Sequence, residues 1–301
     1  MGNLTRQKIQ TFYDQFKTIP ITFTKEIIQV TGLQAKQVSI KCTSDFFPCV
    51  IYSTNFEEAK LVANSKSGIM ERFKETNNSA SIKFSFKVPS TGEQVAFLVP
   101  VHMSGCSPYN GSEEMTMFTM QFSQRPPDDL IEIVGRVIEA NWYASKRKDE
   151  AIPVNAETLR KLKFITKDVG ITVEGVPRRC ILRDISISGA RIIVLGISKM
   201  LVGKSGSIKF EFTDPIESYE IKGTYASAES VADRKDMAVL NLQYIDPIPL
   251  TYKVRLSEYL GTNRKPAAAP HAAAAAVAAP AVETPAQETP PAAAAVTTPP
   301  K

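Results

Sequence analysis

The 301-residue chain predicts a mainly β protein: a β-barrel or sandwich domain and then a second all-β barrel, joined by a helix and a basic linker and flanked by further helices. Three observations carry that expectation. Short apolar runs alternate with polar residues at a period of two, the spacing that turns one face of a strand toward a core. Gly, Pro, Asn and Ser punctuate those runs in both halves of the chain. Between the two sets lies a stretch of helical spacing, introduced by two prolines and followed by a lysine and arginine cluster.

Ile9, Phe12, Tyr13 and Phe16 recur three to four residues apart, so the first seventeen residues predict an amphipathic helix. From Pro20 the signal turns to strands, over 21–24, 37–42, 49–52, 80–86 and 115–120, with a helix near 69–76 interrupting them. Together they make a first β-barrel or sandwich domain over residues 1–125. At Pro126-Pro127 the strand stops, and Asp128-Asp129 place negative charge where a helix N-terminus favours it. Leu130, Ile131, Val134, Val137 and Ile138 continue with helical spacing to about Tyr143, so residues 126–153 read as a connecting helix and basic linker. Residues 154–262 predict the second barrel: a short helix over 158–164, strands from 171, over 180–182, 190–195, 207–212, 217–225 and 237–244, then a closing helix over 250–260. Residues 263–301 predict a disordered tail, because beyond Lys265 the chain is almost wholly Ala, Pro, Thr and Val without an aromatic residue.

Composition narrows the function classes. Cys42, Cys49, Cys106 and Cys180 fit neither a metal pattern nor a disulfide framework, and His102 and His271 lie far apart. Reduced, mostly buried thiols of a cytoplasmic protein are expected. No stretch approaches the roughly 18 apolar residues of a membrane span, so no membrane insertion is expected. The net charge of +5 is unevenly spread: residues 136–183 hold eleven Lys or Arg against six Asp or Glu. That segment suits an anionic ligand, and equally a solvated basic face. An enzyme is not expected, for there is no His-centred dyad, H-E-x-x-H zinc motif or G-x-x-x-x-G-K-[ST] phosphate loop. Asp128-Asp129, the paired carboxylate that would tempt an acid/base assignment, reads as helix-end charge.

The basic segment runs into Asp184-Ile185-Ser186-Ile187-Ser188-Gly189, a D-x-S-x-x-G pattern. On a strand Asp184 and Ser186 share one face while Ile185 and Ile187 take the other. Gly189 permits close approach of a ligand or a backbone with φ > 0. Read in isolation, the hexapeptide also describes a hairpin turn. Arg179 and Arg183 form an R-x-x-x-R spacing just upstream, but four residues on a strand span about 13 Å, too far to close on one ligand as linker arginines can.

A basic linker, a barrel beginning soon after it and D-x-S-x-x-G on an early strand resemble the PilZ family of cyclic di-GMP receptors. Gln124 to Ile133, Ala144 to Arg147 and Leu159 to Lys163 are similar to the two-domain PilZ proteins of spirochaetes, and the resemblance runs to about Leu260. It implies two PilZ-like split β-barrels, the first without a ligand motif and the second binding cyclic di-GMP against the linker. Asp184, Ser186 and Gly189 carry over position by position, Asp184 as acceptor for guanine N–H donors and Ser186 for a phosphate or sugar contact. The family's linker reads as a basic residue followed by R-x-x-x-R; here Lys146-Arg147-Lys148-Asp149-Glu150-Ala151 keeps the first arginine and puts Ala151 at the second. Lys146, Lys148 and Arg160 are auxiliary candidates, although a lysine lacks the bidentate fork of arginine.

The resemblance therefore implies a cytoplasmic receptor whose domain arrangement changes on binding, acting through an effector protein on motility or another second-messenger output. No cofactor beyond the ligand is implied. Two other readings stay open: a degenerate PilZ interaction module that does not bind the dinucleotide, and nucleic-acid binding through the basic linker. For the last, Trp142 and Tyr143 are the aromatic pair beside the linker, and they read first as helix-end core residues.

Overall fold

The computed structural model describes residues 5–88, 92–112, 114–195, 198–214, 216–231 and 234–262. The expected tail over 263–301 lies outside the described residues. Helix α1, Arg6–Phe16, begins where the Thr5 hydroxyl accepts the Lys8 N–H, and it buries Ile9, Phe12 and Phe16 as its spacing predicts. Strands β1 (Ile21–Thr22), β2 (Ser39–Cys42), β3 (Asp45–Thr54), β4 (Glu58–Asn64), β5 (Ser79–Lys87), β6 (Gln94–Pro108) and β7 (Met115–Phe122) follow, with α2 (Lys25–Thr31) and α3 (Ile69–Glu75) between them. The order β2-β3-β4-β7-β6-β5 returns to β2 through antiparallel pairs, so six strands close a ring and β1 adds to β3.

The second half repeats this plan. Helix α4 (Asp128–Lys146) leads into β8 (Ile152–Pro153), α5 (Ala156–Leu162), β9 (Asp168–Val173), β10 (Val176–Ile185), β11 (Gly189–Leu195), β12 (Ser205–Thr213), β13 (Ile216–Val231), β14 (Arg234–Tyr244) and α6 (Leu250–Thr262). Here β9-β10-β11-β14-β13-β12 closes on β9, and β8 adds to β10. Each strand thus has its counterpart seven strands later, in the same neighbour order and with the same hairpins. Closure removes the free edges that would otherwise invite pairing with another chain.

Besides the two-residue β8, which lies in the expected linker, three elements lie outside the sequence expectation. Strand β4 reads Glu-Ala-Lys-Leu-Val-Ala-Asn, residues of ordinary helix propensity, and becomes a strand because β3 and β7 pair with it on both sides. Strand β6 carries Pro100 and Gly105 and breaks register at 103–105, so its alternation is interrupted. Helix α2 has seven residues, below the window in which a helical period is legible, and is set by the Thr24 cap on Ile27 N–H.

Two cores divide along α4. Leu130, Ile131, Val134, Val137 and Ala140 join the first, whereas Tyr143 joins the second. Asp128 and Asp129 sit in the first turn of α4, as expected, with Pro127 at the cap position. The helix lies close to α1 because Gly135 leaves room for the Phe12 ring, which a Cβ there would approach to 2.3 Å. Cys42, Cys49 and Cys180 are buried, and burial pushes the Cys49 and Cys180 thiols up to about 12. Cys106 is exposed.

Polar contacts join the helices. Lys8 meets Glu139 at 3.2 Å, and Arg136 bridges Glu132 on its own helix to Glu258 on α6. Burial raises the Glu139 carboxyl above its ordinary 4.5, with Lys8 opposing. A raised folded-state pKa means that Glu139 favours the fold fully below 4.5 and loses that contribution as pH rises through the folded value. Glu139→Gln should flatten the acid side of the stability profile, read as a smaller fall in melting temperature between about pH 4 and pH 7. An unchanged slope would locate the pH dependence elsewhere.

Candidate functional site

Strand β10 ends at Ile185 and β11 begins at Gly189, so D-x-S-x-x-G spans a strand end and the connection after it. The motif and the hairpin turn are the same residues. The Ser186 N–H donates to Gly189 O at 2.8 Å, and the Ser186 hydroxyl accepts the Gly189 N–H at 3.0 Å. Its carbonyl accepts the Tyr252 hydroxyl at 2.9 Å, tying the turn to α6. Ser186 is buried, with its hydroxyl engaged in closing the turn.

Gly189 answers to a different constraint from a left-handed backbone, for it is not among the positive-φ glycines. A Cβ there would fall 2.6 Å from the carbonyl oxygen of Leu242 on β14. The glycine is required by the close approach of two strands in the ring.

Asp184 lies on the outer face, 6% exposed, opposite Arg191 of β11 in the register of the hairpin. Arg191 Nε donates to Asp184 Oδ1 at 2.7 Å, and Arg183 Nε lies 3.9 Å from Oδ2. Burial of this carboxylate is tolerable because it is paired. Arg178, Arg179 and Arg183 are exposed along β10, as a solvated basic face.

The linker reaches this turn. Ile152 and Pro153 pair with Ile185 and Asp184, and the Ser188 N–H donates to Lys148 O at 2.9 Å. The Ser188 hydroxyl donates to Asp149 Oδ1 at 2.6 Å. Arg147, at the end of α4, stacks 4.8 Å from the Tyr143 ring centroid and donates from Nε to Glu150 Oε2 at 2.6 Å. Its Nη2 is buried without a hydrogen-bond partner among the described residues. The bond to Glu150 raises the Arg147 pKa, so the side chain stays cationic.

Of the residues singled out from sequence, Lys148 is thus brought through its carbonyl against the turn that carries Asp184, Ser186 and Gly189, while the Arg147 side chain contacts Glu150 and Tyr143. Lys146 and Lys148 present exposed side chains without an ion pair among the described residues, and Ala151 is exposed immediately before β8. Arg160, exposed on α5, makes no hydrogen bond or ion pair to the linker or turn among the described residues. Tyr143 is the helix-end core residue that the sequence predicts, with Arg147 stacked on it, whereas sequence reasoning missed the roles of Ser188, Asp149 and Arg191. A signal existed for Arg191, since Asp184 and Arg191 are equidistant from the centre of the hairpin, and for the stacking of Arg147, which stands four residues after Tyr143.

The repeated plan explains why one barrel carries this arrangement and its twin does not. Ser53 pairs with Thr22 of β1 as Asp184 pairs with Pro153 of β8, which aligns Asn55 with Ser186 and Glu58 with Gly189. Asn55 closes the equivalent turn, its N–H donating to Glu58 O and its Oδ1 accepting the N–H groups of Glu57 and Glu58. The turn survives, but the acidic acceptor has become a serine and the glycine a glutamate. Among the described residues no cluster of three His, Cys, Asp or Glu could hold a metal ion, and no helix is long and apolar enough to cross a membrane.

Comparison with known proteins gives matches to both halves. The PilZN3 domain family matches residues 7–141. A cyclic di-GMP binding protein of Treponema denticola is 35% identical over 270 residues, covering 89% of this chain and 86% of that protein. Among solved structures, PlzA of Borreliella burgdorferi in complex with c-di-GMP is 23% identical with a TM-score of 0.40, covering 85% of this chain and 99% of that one. YcgR of Escherichia coli in complex with c-di-GMP is 11% identical with a TM-score of 0.27, covering 87% and 96%. With the first half matching the PilZN3 domain and the identity to the Treponema protein extending over nearly the whole length, this chain belongs to the PilZ family.

Proposed function

We propose that this protein is a cytoplasmic, non-enzymatic receptor for cyclic di-GMP, binding it where the linker of residues 126–153 meets the barrel of residues 154–262. The observation that carries the reading is the half-buried Arg147 side chain, which touches Glu150 and Tyr143 yet leaves a buried Nη2 unpartnered, next in the chain to Lys148 and Asp149, whose atoms bond the D-x-S-x-x-G turn. A buried donor without an acceptor costs about 1–3 kcal/mol, more when charged. A phosphate oxygen or a guanine O6 delivered to this point removes that cost, and does so only in the bound state. Asp184 supplies the acceptor for guanine N–H groups, Ser186 holds the turn in shape for contact, and Gly189 lets β14 close on the turn. Lys146, Lys148 and Arg160 contribute positive potential around an anionic ligand.

Binding acts on domain arrangement through α4, whose C-terminus carries Arg147 and whose body packs against α1 and α6. A ligand that draws Arg147 away from Glu150 favours whichever arrangement of α4 accommodates the new contact, by its differential affinity for the two states. An effector protein reading that arrangement, in motility or another second-messenger output, is the partner this mechanism requires. The relative in Treponema denticola, described as a cyclic di-GMP binding protein, supports the ligand assignment.

Calorimetric titration of the full chain tests it. Saturable heat at micromolar cyclic di-GMP is expected; folded protein giving no heat at tens of micromolar would sink the receptor reading and leave a degenerate interaction module, which Ala151 at the second linker position favours. Ala151→Arg should tighten binding by about 10- to 150-fold, the range for one added charge-assisted hydrogen-bonding group. An unchanged Kd in that variant would mean that position 151 does not face the ligand.

A further inference from the structure

The pairing of Asp184 with Arg191 extends the site beyond the linker and the D-x-S-x-x-G motif. The two residues oppose each other across β10 and β11, on the outer face, between Pro153 of β8 and Asn241 of β14 in adjacent register. Asp184 is almost fully buried, whereas the Arg191 side chain is 41% exposed. Arg191 spends Nε on Asp184 Oδ1 at 2.7 Å, and its two terminal nitrogens have no hydrogen-bond partner among the described residues. A fork of N–H donors therefore stands beside a carboxylate, held at a fixed spacing by the hairpin.

Guanine offers the complementary pattern on two adjoining edges. Its N1–H and N2–H₂ donate to a carboxylate, and its O6 and N7 accept from a guanidinium, the bidentate pairing characteristic of arginine. Adenine has no such order: its N1 accepts and its N6–H₂ donates, so it meets acceptor with acceptor and donor with donor. The linker, moreover, has Ala151 where a second arginine would supply donors.

We infer that Arg191 is a guanine-specificity residue, which reads O6 and N7 of the base held by Asp184 and supplies the donor fork absent at Ala151. The inference rests on the receptor reading above. Its lever is local: when the base takes up Asp184, the Arg191 terminal nitrogens lie beside the adjoining edge without a change of backbone.

The test uses the full chain with cyclic di-GMP and cyclic di-AMP as calorimetric probes, and a thermal melt to establish folding. Arg191→Ala is expected to weaken cyclic di-GMP binding by about 10- to 150-fold while cyclic di-AMP changes by less than about threefold. Because that variant strips Asp184 of its counter-ion, Arg191→Lys is measured alongside: it keeps the ion pair and the fold but lacks the fork, and it should lose selectivity for guanine. Adding Ala151→Arg to Arg191→Lys should recover more affinity than Ala151→Arg adds to the unaltered protein, as two groups doing one task couple. Unaltered protein that binds cyclic di-GMP, with a folded Arg191→Lys variant of equal affinity and selectivity, overturns this inference alone. Unaltered protein that binds neither dinucleotide overturns the receptor reading as well.

Discussion

Arg147→Ala is expected to raise the Kd for cyclic di-GMP by about 10- to 150-fold, the loss of a charge-assisted bidentate donor. Its effect on stability should have the opposite character. In the ligand-free protein the guanidinium gains from Glu150 and the Tyr143 ring but carries a buried, unpartnered Nη2, so the two contributions offset. Removing the side chain abolishes both the gain and the penalty, and the melting temperature should shift by the equivalent of less than about 1 kcal/mol. A side chain that mattered only to folding would move stability and leave binding intact. Arg147→Lys separates charge from geometry: it keeps the cation at the end of α4 without the planar fork, and should fall between the two. Equal affinity in Arg147→Ala and the unaltered protein would remove the linker from the site.

Gly189→Ala should act through the barrel itself. The added Cβ falls 2.6 Å from the Leu242 carbonyl oxygen, a backbone atom fixed in the β11–β14 ladder, so neither partner can rotate away. Strands β11 and β14 must separate locally, at a cost of about 1–3 kcal/mol typical of overpacking in a closed core. Denaturant melts should show a lower midpoint with unchanged slope. Because the turn at Ser186 bonds to both the N–H and the carbonyl of Gly189, the same shift loosens the turn and weakens ligand binding. Saturating cyclic di-GMP, at about 100 times Kd, should return about 2.7 kcal/mol by mass action if the turn can still be drawn into place. A variant as stable as the unaltered protein would show that β14 can yield at Leu242.

These two residues mark the boundary between sequence and structure. Arg147 was legible from its place in a basic linker, and Gly189 from its fixed offset to Asp184 and Ser186. The physical reason for the glycine was not legible, since Leu242 lies more than fifty residues away and approaches only because β14 pairs with β11. Ser186 likewise reads as a ligand hydroxyl in sequence, whereas the fold engages it first in closing the turn.

The amino-acid sequence by itself determined the strands and helices with clean periods, from α1 and β3 to α4 and α6, and the polar motif with its upstream arginine. Those signals are short-range, and a period of 2 or 3.6 is written in neighbouring residues. Only the tertiary structure decided that β4 and β6 are strands, that each set of six closes into a ring, and that the linker lies against Ser188. It also decided that Arg191 covers Asp184. Each of these depends on strand register, which brings together residues whose separation along the chain carries no local pattern, and in a ring one register constrains every other.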